Sequence, residues 1–176
     1  FSCYGMYAYL AEYLYTLDYS SSQVGTMVFL NGFIAVFSTP IVGWISDKMV
    51  AKKGALKART WANMWPALFV AFITCILLPH LAPMSLGMAF FITLAVGWGV
   101  PATNGPGLSL PADLFGSAAA GPGVGLVLLI AGGIISPIFV PWLAGQTNWT
   151  IAWYVTGGFA LLGMLINLYL SRYKAD

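Results

Sequence analysis

The sequence predicts an all-α, polytopic membrane protein with six transmembrane helices. Hydrophobic residues make up 60% of the 176-residue chain and charged residues only 7%, whereas a water-soluble domain usually carries about 25% charged residues. The mean hydropathy is +0.85. Six apolar segments follow one another with short connections, and most of them reach the roughly 20 residues that a spanning helix needs. Lipid is therefore the expected solvent of this chain.

The predicted helices cover residues 1–17, 22–46, 61–80, 84–110, 117–145 and 149–171. The last five are long enough to cross a bilayer, but 17 residues rising about 1.5 Å each fall short. Because the chain opens with Phe1 inside an apolar run, we expect the missing turn upstream and the chain to be a fragment of a longer one.

The basic residues predict the orientation of these helices. All seven Lys and Arg side chains lie either in a predicted loop, residues 47–60, or after the sixth helix, at Arg172 and Lys174. Six spans place both stretches on one side, and the positive-inside rule assigns that side to the cytoplasm. We therefore expect a multi-pass plasma or inner membrane protein with loop 47–60 and the C-terminus in the cytoplasm.

The first helix is amphipathic although it lies in the membrane. At about 100° per residue, one face collects Ser2, Gly5, Ala8, Tyr9, Glu12 and Thr16, and the other collects Met6, Leu10, Leu14 and Leu17. A carboxylate at the bilayer centre costs at least about 2.5 kcal/mol. Glu12 should therefore face a watery cavity, pair with a partner, be protonated, or reach the headgroups. Its functional interpretation is a substrate contact or a proton-coupling carboxylate.

Five tyrosines on this helix are too many for a single interfacial belt. Tyr9, beside Glu12, and Tyr4, at the edge of the polar face, are candidate hydrogen-bond donors to a ligand. We expect Tyr13 and Tyr15 to anchor the external interface and Tyr7 to pack on the apolar side.

The second and fourth helices also carry candidate contacts. Asn31 lies near the middle of its span and must find a hydrogen-bond partner, because hydrocarbon offers none. A bond between helices is the favoured role, and a substrate contact is the alternative. The fourth helix contains the Gly- and Pro-rich run 97–107, and broken helices near the midplane often mark transport sites. Trp98 and Asn104 are therefore candidate substrate contacts, with a kinked packing helix as the alternative.

The motifs of soluble enzymes and nucleic-acid-binding proteins do not occur in this sequence. It contains one histidine, His80, no cluster of His or Cys with metal spacing, and no G-x-x-x-x-G-K-(S/T) loop for ATP. Glu12 has no evident catalytic partner, and the basic stretch has no interleaved aromatic residues. We therefore expect no enzymatic activity, no metal, no cofactor and no nucleic-acid partner.

The end of the second helix carries a family signature. It reads Gly43-Trp44-Ile45-Ser46-Asp47-Lys48, followed by Lys52-Lys53, and resembles the G-x-x-x-D-(R/K)-x-G-(R/K)-(R/K) motif of the major facilitator superfamily. Residues 18–25, 132–137 and 149–158 resemble further segments of that family in the family's order. Val50 stands where the motif has its second glycine. Because degenerate signatures are more usual in the second half of these transporters, the chain is expected to correspond to helices 7 to 12.

The resemblance implies secondary active transport of a small solute, coupled to an ion or a proton. Two six-helix bundles would rock around a midplane site, and the first helix resembles that of organic-anion members. Asp47, within a gating motif of Gly43, Lys48, Lys52 and Lys53, would hold one conformation until substrate shifts the balance.

The expected partners are the lipid bilayer, a small-molecule substrate, and either a missing N-terminal six-helix half or a second copy. Two alternatives remain open: a complete six-helix protein that dimerises as a pore or transporter, and a membrane scaffold that transports nothing.

Overall fold

The computed structural model describes residues 2–129 and 135–172, and throughout these ranges the regular secondary structure is helical. The α-helices are α1 Ser2–Tyr15, α2 Ser21–Lys53, α3 Ala55–Phe72, α4 Leu86–Ala102, α5 Asn104–Phe115, α6 Ser117–Val127, α7 Ser136–Gln146 and α8 Trp149–Arg172. A π-helical stretch, Ile73–Leu81, and a short 3-10 turn, Ala82–Met84, continue α3. The predicted all-α class is confirmed.

Within the described ranges, four helical segments are long and apolar enough to cross a membrane, namely Ser21–Lys53, Ala55–Met84, Leu86–Phe115 and Trp149–Arg172. α1 has 14 residues, and α6 and α7 have 11 each, which is below the length of a full span. The predicted fifth helix, 117–145, includes residues 130–134, which lie outside the described part of the chain.

The predicted loop 47–60 is wrong, because these residues are helical apart from Gly54. α2 extends to Lys53, α3 begins at Ala55, and Gly54 alone joins them. Its φ of +77° lies in the left-handed region that glycine adopts readily, and its N–H donates to the carbonyl of Val50 at 2.9 Å. Polarity suggested a loop, but Lys, Ala, Leu and Arg are all strong helix formers.

α2 and α4 pack in parallel along most of their length. Asn31 on α2 contacts Thr93 on α4, and further along both helices Thr39 contacts Pro101. The backbones approach so closely that a methyl group at Gly97 would lie 2.5 Å from the carbonyl oxygen of Asn31. Glycine is required there because no Cβ fits between the two backbones.

α3 and α8 pack antiparallel. On the π-helical continuation of α3, the His80 ring contacts the Tyr154 hydroxyl at 2.6 Å, and Cys75 leaves no room for a methyl group at Gly157. This register brings Arg172 beside the start of α3. We call this end of the bundle, which carries Lys48, Lys52, Lys53, Lys57 and Arg59, the basic end.

The apolar core lies in the half of the bundle away from the basic end. Met6, Leu10 and Leu14 of α1 are at most 3% exposed and pack against α2, α3, α4 and α8. This is the apolar face that the helical period predicts for the first helix. The half nearer the basic end is more open, and it contains the grooves and the ionic contacts described next.

Candidate functional site

A cavity of about 440 Å³ lies between α1, α2 and the junction of α4 with α5. It is lined by Tyr7, Gly32, Ala35, Val36, Thr39, Val100, Pro101 and Asn104. α4 ends at Ala102, the N–H of Thr103 bonds the carbonyl of Val100 at 3.2 Å, and α5 begins at Asn104. We call this space the junction cavity.

The junction exists because proline removes backbone donors. Pro101 has no N–H for the carbonyl of Gly97, and Pro106 has none for that of Ala102. Across the helix interface, the Thr39 hydroxyl donates to the carbonyl of Pro101 at 2.8 Å. The fourth span is thus interrupted where its sequence predicts: only Thr103 separates α4 from α5, its backbone stays in the α-helical region, and this interruption borders the cavity.

Asn104 is the amide that this break presents to the cavity. It is half-buried, and among the described residues no group hydrogen-bonds its side chain. An asparagine amide offers two N–H donors and one carbonyl acceptor. Because the walls around it are mostly apolar, Asn104 can orient a small polar molecule through these groups.

Glu12 lies on the exposed side of α1, about 7.5 Å along the helix axis from Tyr7. Within the described ranges its carboxylate makes no ion pair. Of the environments that the sequence leaves open, the structure shows an open side of the bundle rather than a buried pair.

Tyr7 and Tyr9 exchange the roles that the helical wheel predicts. The Tyr9 hydroxyl donates to the carbonyl of Pro137, which lacks its own helical donor because Pro141 stands four residues on. Tyr7, predicted to pack, is 38% exposed and lines the junction cavity. The side chain of Tyr4, the other candidate donor, lies outside the described residues.

Tyr13 corrects another prediction, because it is buried rather than at an interface. It is 4% exposed and donates to the carbonyl of Leu78 at 2.7 Å. In this π-helical stretch the N–H of Ala82 donates to the carbonyl of Leu77, five residues before it. By the same spacing the carbonyl of Leu78 would accept from Pro83, which has no N–H. A tyrosine combines an apolar ring with a hydroxyl donor, so Tyr13 can be buried and still satisfy the carbonyl of Leu78.

Asn31 and Trp98, the remaining candidate contacts on the membrane helices, lie in different surroundings. Asn31 is 3% exposed and donates to the carbonyl of Thr93 at 3.0 Å, which matches the favoured interhelical role. Trp98 is 40% exposed and lies in a different groove with Trp61 and Trp65, on the α3 side of α4. Trp98 and Asn104 therefore do not line one site.

At the basic end, Arg59 ties three helices together. Its Nη1 lies 2.5 Å from Asp47 on α2, and its Nε lies 2.7 Å from Asp113 on α5. Nη1 also donates to the Ser46 hydroxyl at 3.1 Å. Arg59 is 7% exposed. We call these four residues the arginine cluster.

Sequence reasoning expected Asp47 to interact with the basic stretch but did not identify Arg59 as its partner, nor Asp113 as the second carboxylate that Arg59 binds. Arg59 counted only as a positive charge in a loop, and Asp113 lies 54 residues beyond it. The feature of the sequence that could have revealed the contact of Arg59 with Asp47 is the high helix propensity of residues 47–60. A continuous helical hairpin through Gly54 places Arg59 one turn inside α3, where it can reach back to the end of α2.

The other residues of the predicted gating motif do not join the arginine cluster. Lys48, Lys52 and Lys53 are exposed. The Nζ of Lys48 stands 3.6 Å from the ring centroid of Trp44, and that of Lys53 stands 4.8 Å from the centroid of Trp61. Gly43 is where α2 meets α5: a methyl group at Gly105 would lie 3.0 Å from its Cα.

Comparisons with known proteins identify no relative. No protein-family model, no curated protein and no solved structure matches this chain. The resemblance to the major facilitator superfamily therefore stays a hypothesis based on a motif and on helix order, and the function has to be argued from the geometry above.

Proposed function

We propose that this chain is a six-helix half of a major-facilitator-type secondary transporter, which moves a small solute by alternating access and is coupled to an ion or proton. The observation that carries the proposal is the junction cavity, where a broken helix presents Asn104 to a space of small-molecule size. Sites for small molecules usually have volumes of about 300–1,000 Å³, with apolar walls and few polar groups. Broken helices near the midplane are typical of transport sites.

The residues that line the junction cavity have different proposed roles in binding the substrate. Asn104 supplies the hydrogen-bonding groups, and the Tyr7, Val36 and Val100 side chains form the walls around it. Glu12, on the open side of the same helix as Tyr7, is the proposed proton carrier. An organic anion is the proposed substrate class, for which the amide N–H groups of Asn104 are suitable donors.

The arginine cluster is the proposed gate. Because Arg59 bridges α2, α3 and α5, relative movement of these helices at the basic end has to stretch or break its ion pairs. A substrate that binds the open state more tightly would offset that cost and shift the population. The basic end is proposed to face the cytoplasm, by the positive-inside rule.

The proposed spans number six, although α1, α6 and α7 are individually short. α6 and α7 together would form the fifth span, and α1 would form the first. The transport pathway would be completed by a second six-helix half or by a second copy of the chain. A dimeric pore and a non-transporting scaffold are the competing functions.

An uptake assay with paired asparagine variants tests the proposal. The full-length protein in membrane vesicles is assayed with a panel of labelled small organic anions, with and without an inward proton gradient. Asn104→Ala should lower uptake at least about tenfold, the effect of losing 1.4 kcal/mol or more of binding. Asn167→Ala is the matched control, because that amide bonds the carbonyl of Gly163 within α8 at 2.8 Å.

The outcomes separate the competing functions. Uptake that is saturable and lost only in Asn104→Ala supports the transporter. Vesicles that hold inserted protein and take up no solute in the panel favour the scaffold. Uptake that is linear in concentration and equal in both variants favours a pore.

A further inference from the structure

We propose that a second groove, on the α3 side of α4, binds one anionic phospholipid, with an acyl chain in the groove and the phosphate at Lys53 and Lys48. The groove has a volume of about 360 Å³ and is lined by Val42, Ile45, Trp61, Ala62, Trp65, Pro66, Phe69, Trp98, Gly99 and Ala102. We call it the tryptophan groove. The inference rests on the membrane location in the proposed function, but it does not depend on transport.

The lining of the tryptophan groove suits a hydrocarbon chain. Every side chain in it is apolar except for the indole N–H groups. Along α3 the groove runs from Trp61 to Phe69, which is about 12 Å. At Gly99 the two helices approach closely, because a methyl group there would lie 2.8 Å from Cδ1 of Phe69. The three tryptophans are 36–52% exposed, so the groove opens to the side of the bundle.

The mouth of the groove carries positive charge that the protein does not neutralise. Lys53 stands over Trp61, the lining residue nearest the basic end. Lys48 lies about one turn beyond the lining residue Ile45 on α2 and stands over Trp44, which is not in the lining. A cation over an aromatic face is held in place but keeps its charge. Both carboxylates that the structure describes at this end, Asp47 and Asp113, are bound by Arg59.

The charge balance of the basic end therefore favours an anion. Residues 47–59 carry five cationic side chains and α8 adds Arg172, against the carboxylates of Asp47 and Asp113, which leaves four net positive charges among the described residues of this end. A lysine near a membrane surface contributes about 1 kcal/mol to attraction for anionic lipid. The lysines thus supply what a phosphate needs, at the end of the groove where a headgroup would lie.

A phospholipid fits better than a soluble anion because it uses both features. A small anion would contact the lysines but would leave the apolar lining unfilled, and a neutral lipid would fill the lining but gain nothing from the lysines. Another apolar groove, of about 390 Å³, is lined by Ile135, Ile138, Phe139 and Trp142, and residues 135–146, which include this lining, contain no lysine or arginine. That groove is the built-in control for the role of charge.

Quenching by brominated lipids tests this site. The purified full-length protein, in micelles that contain phosphatidylcholine, is titrated with phosphatidylglycerol or phosphatidylcholine that carries brominated acyl chains, and tryptophan fluorescence is recorded. Phosphatidylglycerol should quench at a lower mole fraction than phosphatidylcholine. Trp65→Phe should remove more of this excess quenching than Trp142→Phe, although the two residues are similarly exposed, at 52% and 56%.

The lysine variants test the headgroup contact. Lys53→Gln should shift the phosphatidylglycerol titration to an about fivefold higher mole fraction, whereas Lys52→Gln, an exposed lysine of the same helix end, should shift it less than twofold. Identical titrations with both lipids in the unmodified protein, which indicate annular contact only, would overturn the proposal. Equal shifts in Lys52→Gln and Lys53→Gln would overturn it too. Because no transport is measured, failure of the uptake assay leaves this result unaffected.

Discussion

The arginine cluster makes a quantitative prediction about which carboxylate matters for stability. Arg59 forms ion pairs of similar length with Asp47 and Asp113, but the Asp47 side chain is 64% exposed and that of Asp113 is 28% exposed. Two unit charges about 4 Å apart interact by about 1 kcal/mol in water and about 4 kcal/mol at the effective dielectric constant of a protein surface. Burial rather than distance should therefore decide the contribution of each pair.

We expect Asp113→Asn to lower the free energy of unfolding by about 2 kcal/mol, which allows for the partial exposure of Asp113. Asp47→Asn should lower it by less than about 1 kcal/mol, as for other exposed pairs. Asparagine is chosen because it keeps the shape of the side chain and one acceptor oxygen. Arg59→Gln should cost about 3 kcal/mol, since it leaves two carboxylates without a cation.

Thermal unfolding in detergent, followed by circular dichroism, measures these changes. The double variant Arg59→Gln/Asp113→Asn completes a cycle, and the coupling energy should be about 1–2 kcal/mol. A larger loss from Asp47→Asn than from Asp113→Asn would refute the argument from burial. No loss from either would show that the cluster adds nothing to stability.

The same variants test the proposed gate, because transport and stability should depend on different ion pairs of the arginine cluster. Asp47→Asn should impair transport while insertion and folding stay nearly intact, since in the proposed gate the Asp47 pair links α2 to the conformational change. Unchanged uptake in Asp47→Asn would remove that aspartate from the gating mechanism.

Two further predictions concern the α2–α4 contact and proton coupling. Gly97→Ala should lower the free energy of unfolding by about 1–3 kcal/mol, because its methyl group would lie 2.5 Å from the Asn31 carbonyl oxygen. A methyl group at Gly87 on the same helix would meet no atom within 4 Å, so Gly87→Ala should be neutral or stabilising by up to about 1 kcal/mol. Equal effects of the two variants in thermal unfolding would contradict the contact. Glu12→Gln should abolish uptake driven by a pH gradient but preserve substrate exchange, because a proton carrier is needed only for net coupled movement, and proton coupling that persists in this variant would exclude Glu12.

Part of the candidate site could be predicted from the sequence, because some of its features are local. Asn104 follows from the prolines that break the fourth span, and a proline removes its helical hydrogen bond in any tertiary context. Asn31 could be assigned an interhelical bond because a buried amide in hydrocarbon must be satisfied. Trp98 could not be separated from Asn104, since the two lie less than two turns apart and only the neighbours of each helix face distinguish them.

The assignment of the tyrosines shows where residue patterns stop being informative. A helical wheel sorts side chains by polarity, and a tyrosine belongs to both classes. Tyr9 and Tyr13 are held by carbonyl groups that distant prolines leave without helical donors. Such pairings join residues far apart in the chain, so they depend on how the helices pack.

The sequence by itself determined that the chain is helical and apolar enough for a membrane, that Met6, Leu10 and Leu14 share the apolar face of α1, and that the fourth span is interrupted at its prolines. These properties follow from hydropathy, helical period and proline chemistry, which act over a few residues. Only the tertiary structure decided that Arg59 joins Asp47 to Asp113, that Tyr7 rather than Tyr9 lines the junction cavity, and that Trp98 lies in a separate groove. Those outcomes depend on which helix faces meet, because a hydrogen bond or an ion pair forms only where packing brings its two partners within about 3 Å.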